Sequence, residues 1–141
     1  MAAEEIRTLR ILKETLIAAP ADIVFETVLE PLGPMKEMNM KLEPWPGGRW
    51  FRDLGNNTGH LWGHVQVIKP PKLLELVGPT MMSFPAISHI QYRLTEEPGG
   101  TLLKFTHQAM GLIPAGLEAD MTRGWGEMLE MIRAAAEKKR G

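Results

Sequence analysis

The plainest pattern in the chain lies near its C-terminal end. Leu117, Met121, Trp125, Met128, Leu129, Ile132 and Ala136 recur at steps of three and four, one apolar stripe along a helix. From Leu117 to Lys139 that helix spans roughly 35 Å at 1.5 Å per residue. A helix so long with one apolar face requires a broad apolar partner. Upstream the period shortens to two. Leu9 to Ala18 alternates roughly and is rich in β-formers. Arg49–Leu54, Thr58–Lys69 and Lys72–Val77 read as further strands. Ser88–Thr95 sets Ile90, Tyr92 and Leu94 on one face and His89, Gln91 and Arg93 on the other. The return strand, Thr101 to Ala109, carries Leu103, Phe105 and His107 on one face.

Turn residues punctuate these runs at Pro46-Gly47-Gly48, Gly55-Asn56-Asn57, Pro70-Pro71 and Pro98-Gly99-Gly100. Strands joined by short turns predict an antiparallel meander, and so an α+β chain whose sheet receives the final helix. A short first helix starts at Pro20, with Asp22 near its positive end and Ile23, Val24 and Val28 at helical spacing. Pro31 stops it. The stretch Leu32–Glu43, with Gly33, Pro34, Met35, Met38 and Met40, has no clear period.

Length and composition narrow the classes. The chain has 141 residues, 44% of them hydrophobic and 23% charged, which suits one soluble domain over residues 1–141 and excludes wholesale disorder. Net charge is −1 with a pI near 6.4. The single dense basic run, Lys138-Lys139-Arg140, complements a helix C-terminus, so nucleic acid is not an expected partner. Without cysteine there is no disulfide, thiolate nucleophile or Cys-based metal site. The opening Met1-Ala2-Ala3-Glu4-Glu5 is acidic and lacks an apolar signal core, and no stretch approaches a membrane span. The expectation is a cytoplasmic protein.

Several segments together carry a resemblance. They are Ala19-Pro20-Ala21-Asp22-Ile23-Val24-Phe25, Pro46-Gly47-Gly48, Gly63-His64-Val65 running to Ile68-Lys69-Pro70-Pro71, Gly100-Thr101-Leu102-Leu103, and Gly124-Trp125 with Leu129 and Ile132. In that order the chain resembles the START-like (SRPBCC) superfamily, and within it domains similar to the C-terminal domain of the activator of heat-shock-protein-90 ATPase. It departs from them at Phe25, where tryptophan is frequent. It departs again at Pro34-Met35-Lys36-Glu37-Met38, which replaces a tryptophan pair. The resemblance implies a helix-grip fold: seven strands curved around the last helix, with a cavity between. It implies no particular reaction.

In that cavity the expected ligand is a small apolar or amphipathic molecule, and no cofactor is expected. The residues expected around it are Phe25, Met38, Trp50 and Tyr92, together with Phe105, His107, Met121 and Trp125. Ten methionines favour a pocket that adapts its shape. A dry void of roughly 300 Å³ would cost several kcal/mol, so either methionines fill it or a ligand does. Two rival readings are a cyclase- or aromatase-like enzyme using His107 and Tyr92 as acid–base partners, and a protein-interaction module. A homodimer is compatible with the sequence.

His60 and His64 are four residues apart, but in a strand that separates them by roughly 13 Å, too far for one metal ion. His107 shares the inward face with Leu103 and Phe105, which suits either a ligand handle or a structural histidine near the pocket rim, with Tyr92 as its neighbour. Glu37 and Asp53 are placed at the cavity entrance. Gly124 and Gly126 flank Trp125 inside a helix, where each costs about 1 kcal/mol relative to Ala. A close approach by backbone or by a bound molecule is the expected compensation.

Overall fold

Alternation through the middle of the chain builds seven strands in one antiparallel sheet. They are β1 (Arg7–Ile17), β2 (Met40–Leu42), β3 (Arg49–Gly55), β4 (Thr58–Lys69), β5 (Leu73–Gly78), β6 (Ala86–Glu97) and β7 (Gly100–Gly111). In the sheet they run β1-β7-β6-β5-β4-β3-β2, so β3 to β7 form a meander and β1 returns beside β7. The helices are α1 (Ala21–Leu29), α2 (Pro34–Glu37) and α3 (Leu117–Arg140). The structure is a computed structural model and describes residues 5–140. Met1 to Glu4, the bulk of the acidic opening, lie outside the described residues.

Period-two alternation puts Ile90, Tyr92 and Leu94 of β6 and Leu103 and Phe105 of β7 on the inner face, all buried. Leu9, Ile11 and Ile17 of β1 and Leu74 and Leu76 of β5 extend that surface. The α3 stripe meets it with Met121, Trp125, Leu129, Ile132 and Ala136 buried. This is the helix-grip arrangement, an α+β fold. The sheet bends where its register shifts, at Trp50/Phe51 between β3 and β4 and at Val65/Val67 between β4 and β5.

A helix wrapped by a sheet leaves the first edge strand open to pairing with another chain. Here α3 covers it. Glu118 accepts the Arg10 N–H at 3.1 Å, and Glu137 accepts the Ala18 N–H at 2.9 Å. At its far end Lys139 donates to Thr27 Oγ1 at 3.1 Å and pairs with Glu30, tying α3 to α1.

The stretch without period resolves into α2 and β2. Elements of four and three residues are too short for any period to show in sequence. Gly33 opens α2 at φ +51° and Asn39 follows it at φ +58°, both left-handed.

Candidate functional site

The site grows from α3. Trp125 sits mid-stripe and 3% exposed, its ring 4.7 Å from Phe105 between centroids. Its Nε1–H donates to His107 Nδ1 at 2.9 Å. Indole N–H is a donor only, so Nδ1 is the acceptor and the imidazole carries its proton on Nε2. That Nε2–H in turn donates to Ser88 Oγ at 2.7 Å. Burial without a charge partner pushes His107 down to about 4, which keeps it neutral at physiological pH. His107 is therefore fully buried and engaged at both nitrogens. It does not stand at a rim, and its partners are Ser88 and Trp125, not Tyr92.

Beside Trp125, α3 and α2 form the walls of a groove of about 390 Å³. Met121, Met128 and Met131 come from α3, Met35 and Met38 from α2, Met81 from the β5–β6 loop and Trp62 from β4. Six of the chain's ten methionines thus surround one space. Among the described residues, its charged lining residues are Asp120 and Glu127. Gly124 also faces it, and a Cβ built there meets no atom within 4 Å. No backbone presses on this glycine, so of the two expected approaches, by backbone or by a bound molecule, the first is absent. Gly126 differs: a Cβ there would lie 3.3 Å from Lys13 Nζ, a flexible side-chain end.

A second, narrower slot of about 50 Å³ lies between α1, β2 and the sheet, lined among others by Met40, Trp50, Leu74, Tyr92 and Ile132. Met35 and Met128 line both spaces and so stand between them. Aromatic contacts link the two spaces as well. Trp50 meets Trp62 edge-on at 5.2 Å, and Phe105 bridges Tyr92 at 5.1 Å and Trp125 at 4.7 Å. Burial alone raises the Tyr92 phenol above its ordinary value, with no hydrogen-bond partner acting on it among the described residues.

The eight residues expected around a ligand divide into three groups. Met38, Met121 and Trp125 line the groove, and Trp50 and Tyr92 line the slot. Phe25, Phe105 and His107 are core residues that line neither. Sequence reasoning missed Trp62, Met81 and Met131, and it did not assign Met35 or Met128 to the site. Trp62 owes its inward aim to the irregularity at Trp50/Phe51, which leaves both Trp62 and Gly63 buried. Met81 lies in a loop and Met131 lies off the stripe, so periodicity points to neither.

Across β3, His60 pairs with Arg52 and His64 with Arg49. Among the described residues no group of three or more His, Asp or Glu side chains is placed to hold a metal ion. Glu37 and Asp53 do not line the groove. Asp53 instead accepts from Lys41 Nζ at 2.8 Å beside β3, and that ion pair lowers its pKa. No helix among the described residues is long and apolar enough to cross a membrane.

The model of the family described as Activator of Hsp90 ATPase homolog 1-like protein matches residues 18–137. Among solved structures, an uncharacterised protein from Rhizobium leguminosarum superposes with a TM-score of 0.75 at 20% identity. The match covers 95% of this chain and 97% of that one. CalU16 from Micromonospora echinospora gives 0.64 at 20%, covering 96% and 87%. DynU16, from the dynemicin biosynthetic locus, gives 0.68 at 18%, covering 93% of this chain and 48% of that chain. At such identities the likeness is one of fold. No curated protein matches the sequence.

Proposed function

This chain belongs to the Activator of Hsp90 ATPase homolog 1-like family, and from that premise we propose that it binds a small apolar or amphipathic molecule in the groove between α2 and α3. The observation that carries this reading is the lining. Six thioethers and two indoles surround about 390 Å³, within the usual range for a small-molecule site. Methionine adapts to irregular ligands at little rotamer penalty, which suits a carrier or receptor. Gly124 supports the reading independently. An interior helix glycine costs about 1 kcal/mol relative to Ala, yet no protein atom needs the space its missing side chain leaves.

Acid–base catalysis by His107 and Tyr92 is less well supported by the geometry. Trp125 and Ser88 occupy both His107 nitrogens, and Tyr92 packs on Phe105. A general base needs a free lone pair in reach of substrate.

Gly124 supplies the test. A neutral fluorescent probe, N-phenyl-1-naphthylamine, should bind wild type with low-micromolar affinity and gain fluorescence. Gly124→Trp projects an indole into the groove from an open position and should weaken the probe at least tenfold while leaving the melting temperature unchanged or higher. Equal binding by both proteins would place the probe elsewhere and remove the groove from consideration.

A further inference from the structure

Resting on that binding reading, we infer that the ligand is linear and uncharged: a chain that fills the groove, passes between Met35 and Met128, and sets an oxygen acceptor against the Tyr92 hydroxyl. Three independent features lead there.

The first is the partition. Groove and slot share Met35 and Met128 as walls. Both are unbranched side chains with three rotatable bonds, so a rotamer change in either opens one space into the other. Met35 rides on α2, which buries none of its side chains and is bounded by left-handed residues at Gly33 and Asn39. A segment with so few buried contacts shifts at small cost.

The second feature is Tyr92. The residue is 6% exposed and lines the slot, yet no protein group among the described residues hydrogen-bonds its hydroxyl. Among the described residues no side-chain oxygen shut off from solvent lacks a partner, so this hydroxyl opens onto the slot, where water can bond it. The slot has room for a few waters, roughly 10–15 Å³ each, in its 50 Å³. An incoming oxygen that accepts from the phenol replaces a water there without loss of the bond. The raised phenol pKa keeps Tyr92 a neutral donor throughout the physiological range.

Charge is the third. The slot lining includes Lys41 and Glu30, but Lys41 is paired with Asp53 at 2.8 Å and Glu30 with Lys139. The charged residues of the groove are both acidic. Among the described residues lining the two spaces no uncommitted cation awaits a carboxylate, so the inner end of the ligand is a ketone, ester or similar neutral oxygen.

Displacement of N-phenyl-1-naphthylamine by methyl ketones of increasing length, each beside the 1-alkene of equal length, tests the inference. Affinity should continue to rise three- to fourfold per added methylene after the groove is filled. In wild type each long ketone should outbind its alkene roughly fivefold. Tyr92→Phe should abolish that advantage, leave alkene affinity unchanged and melt like wild type. Met128→Phe, which stiffens the partition, should reduce long ketones to the affinity of short ones. A plateau in affinity short of the slot, or a ketone advantage that persists in Tyr92→Phe, overturns the inference while the groove remains a binding site. If the reporter itself does not bind wild type, the binding reading falls and takes the inference with it.

Discussion

At the scale of single residues, the hydrogen bond from Trp125 to His107 fixes more than one property. Trp125→Phe keeps most of the ring but removes the donor, leaving Nδ1 of a fully buried imidazole unpaired. It should cost about 1–3 kcal/mol in urea unfolding. Trp125→Ala should cost roughly 3–5 kcal/mol, since the ring also packs on Phe105. Protonation attacks the same bond, because imidazolium cannot accept at Nδ1. His107 titrates at about 4 in the fold and near 6.5 when unfolded. Between those values the unfolded chain holds the extra proton, so this contribution is complete above pH 6.5 and is lost as pH falls toward 4. From pH 7 to pH 5 the loss is about 2 kcal/mol. Glu43 and Asp53, whose pKa values are lowered by Arg49 and Lys41, lose their contribution only at lower pH. Unfolding midpoints of wild type and His107→Gln at pH 7 and pH 5 measure the difference, and the variant should show the shallower slope. The inward aim of His107 is legible from alternation along β7. Its partners are not: Trp125 is 18 residues away in sequence and on a different element.

At the scale of elements, what the sequence reveals depends on how many residues repeat the signal. The α3 stripe repeats over 24 residues, and β6 and β7 alternate over 12 each, so their type, pairing and buried faces are all legible. Neither α2 nor β2 completes enough of a period to be read, yet α2 supplies Met35 and Met38 to the groove. Bulges are invisible for a related reason. One extra residue at Trp62 shifts the pattern by a step, and alternation alone cannot say where. The two glycines of α3 are plain in sequence, but their reasons differ. Gly124→Ala meets open space and should raise stability by about 1 kcal/mol through helix propensity. Gly126→Ala must displace Lys13 Nζ from 3.3 Å and should gain less. Thermal melts of the two variants should rank Gly124→Ala above Gly126→Ala. The opposite order would mean that Gly124 is constrained by something other than an empty groove.

At the scale of the whole molecule, the grip is made in three places along α3, and they are unequal. Polar contacts hold its ends: Glu118 and Glu137 accept from Arg10 and Ala18, and the part-buried Lys139 meets Thr27 and Glu30. Single hydrogen bonds of that kind contribute about 1 kcal/mol each. Buried aromatic packing holds the middle, and Phe105 is its centre. That residue is 1% exposed and lines neither space, but it touches Tyr92 on the slot side and Trp125 on the groove side. Interiors are close-packed, so removing the backing of two wall residues lets both rings relax into the gap. Phe105→Leu should therefore lower stability by roughly 1–3 kcal/mol and also weaken N-phenyl-1-naphthylamine severalfold, although Phe105 has no surface in the groove. Lys139→Met should cost no more than about 1 kcal/mol and leave probe affinity unchanged. Measuring melting temperature and probe affinity on both variants separates the two kinds of attachment. If Phe105→Leu destabilised the fold yet bound the probe like wild type, the groove wall would be set by α2 and α3 alone, and the aromatic chain from slot to groove would be only a feature of core packing.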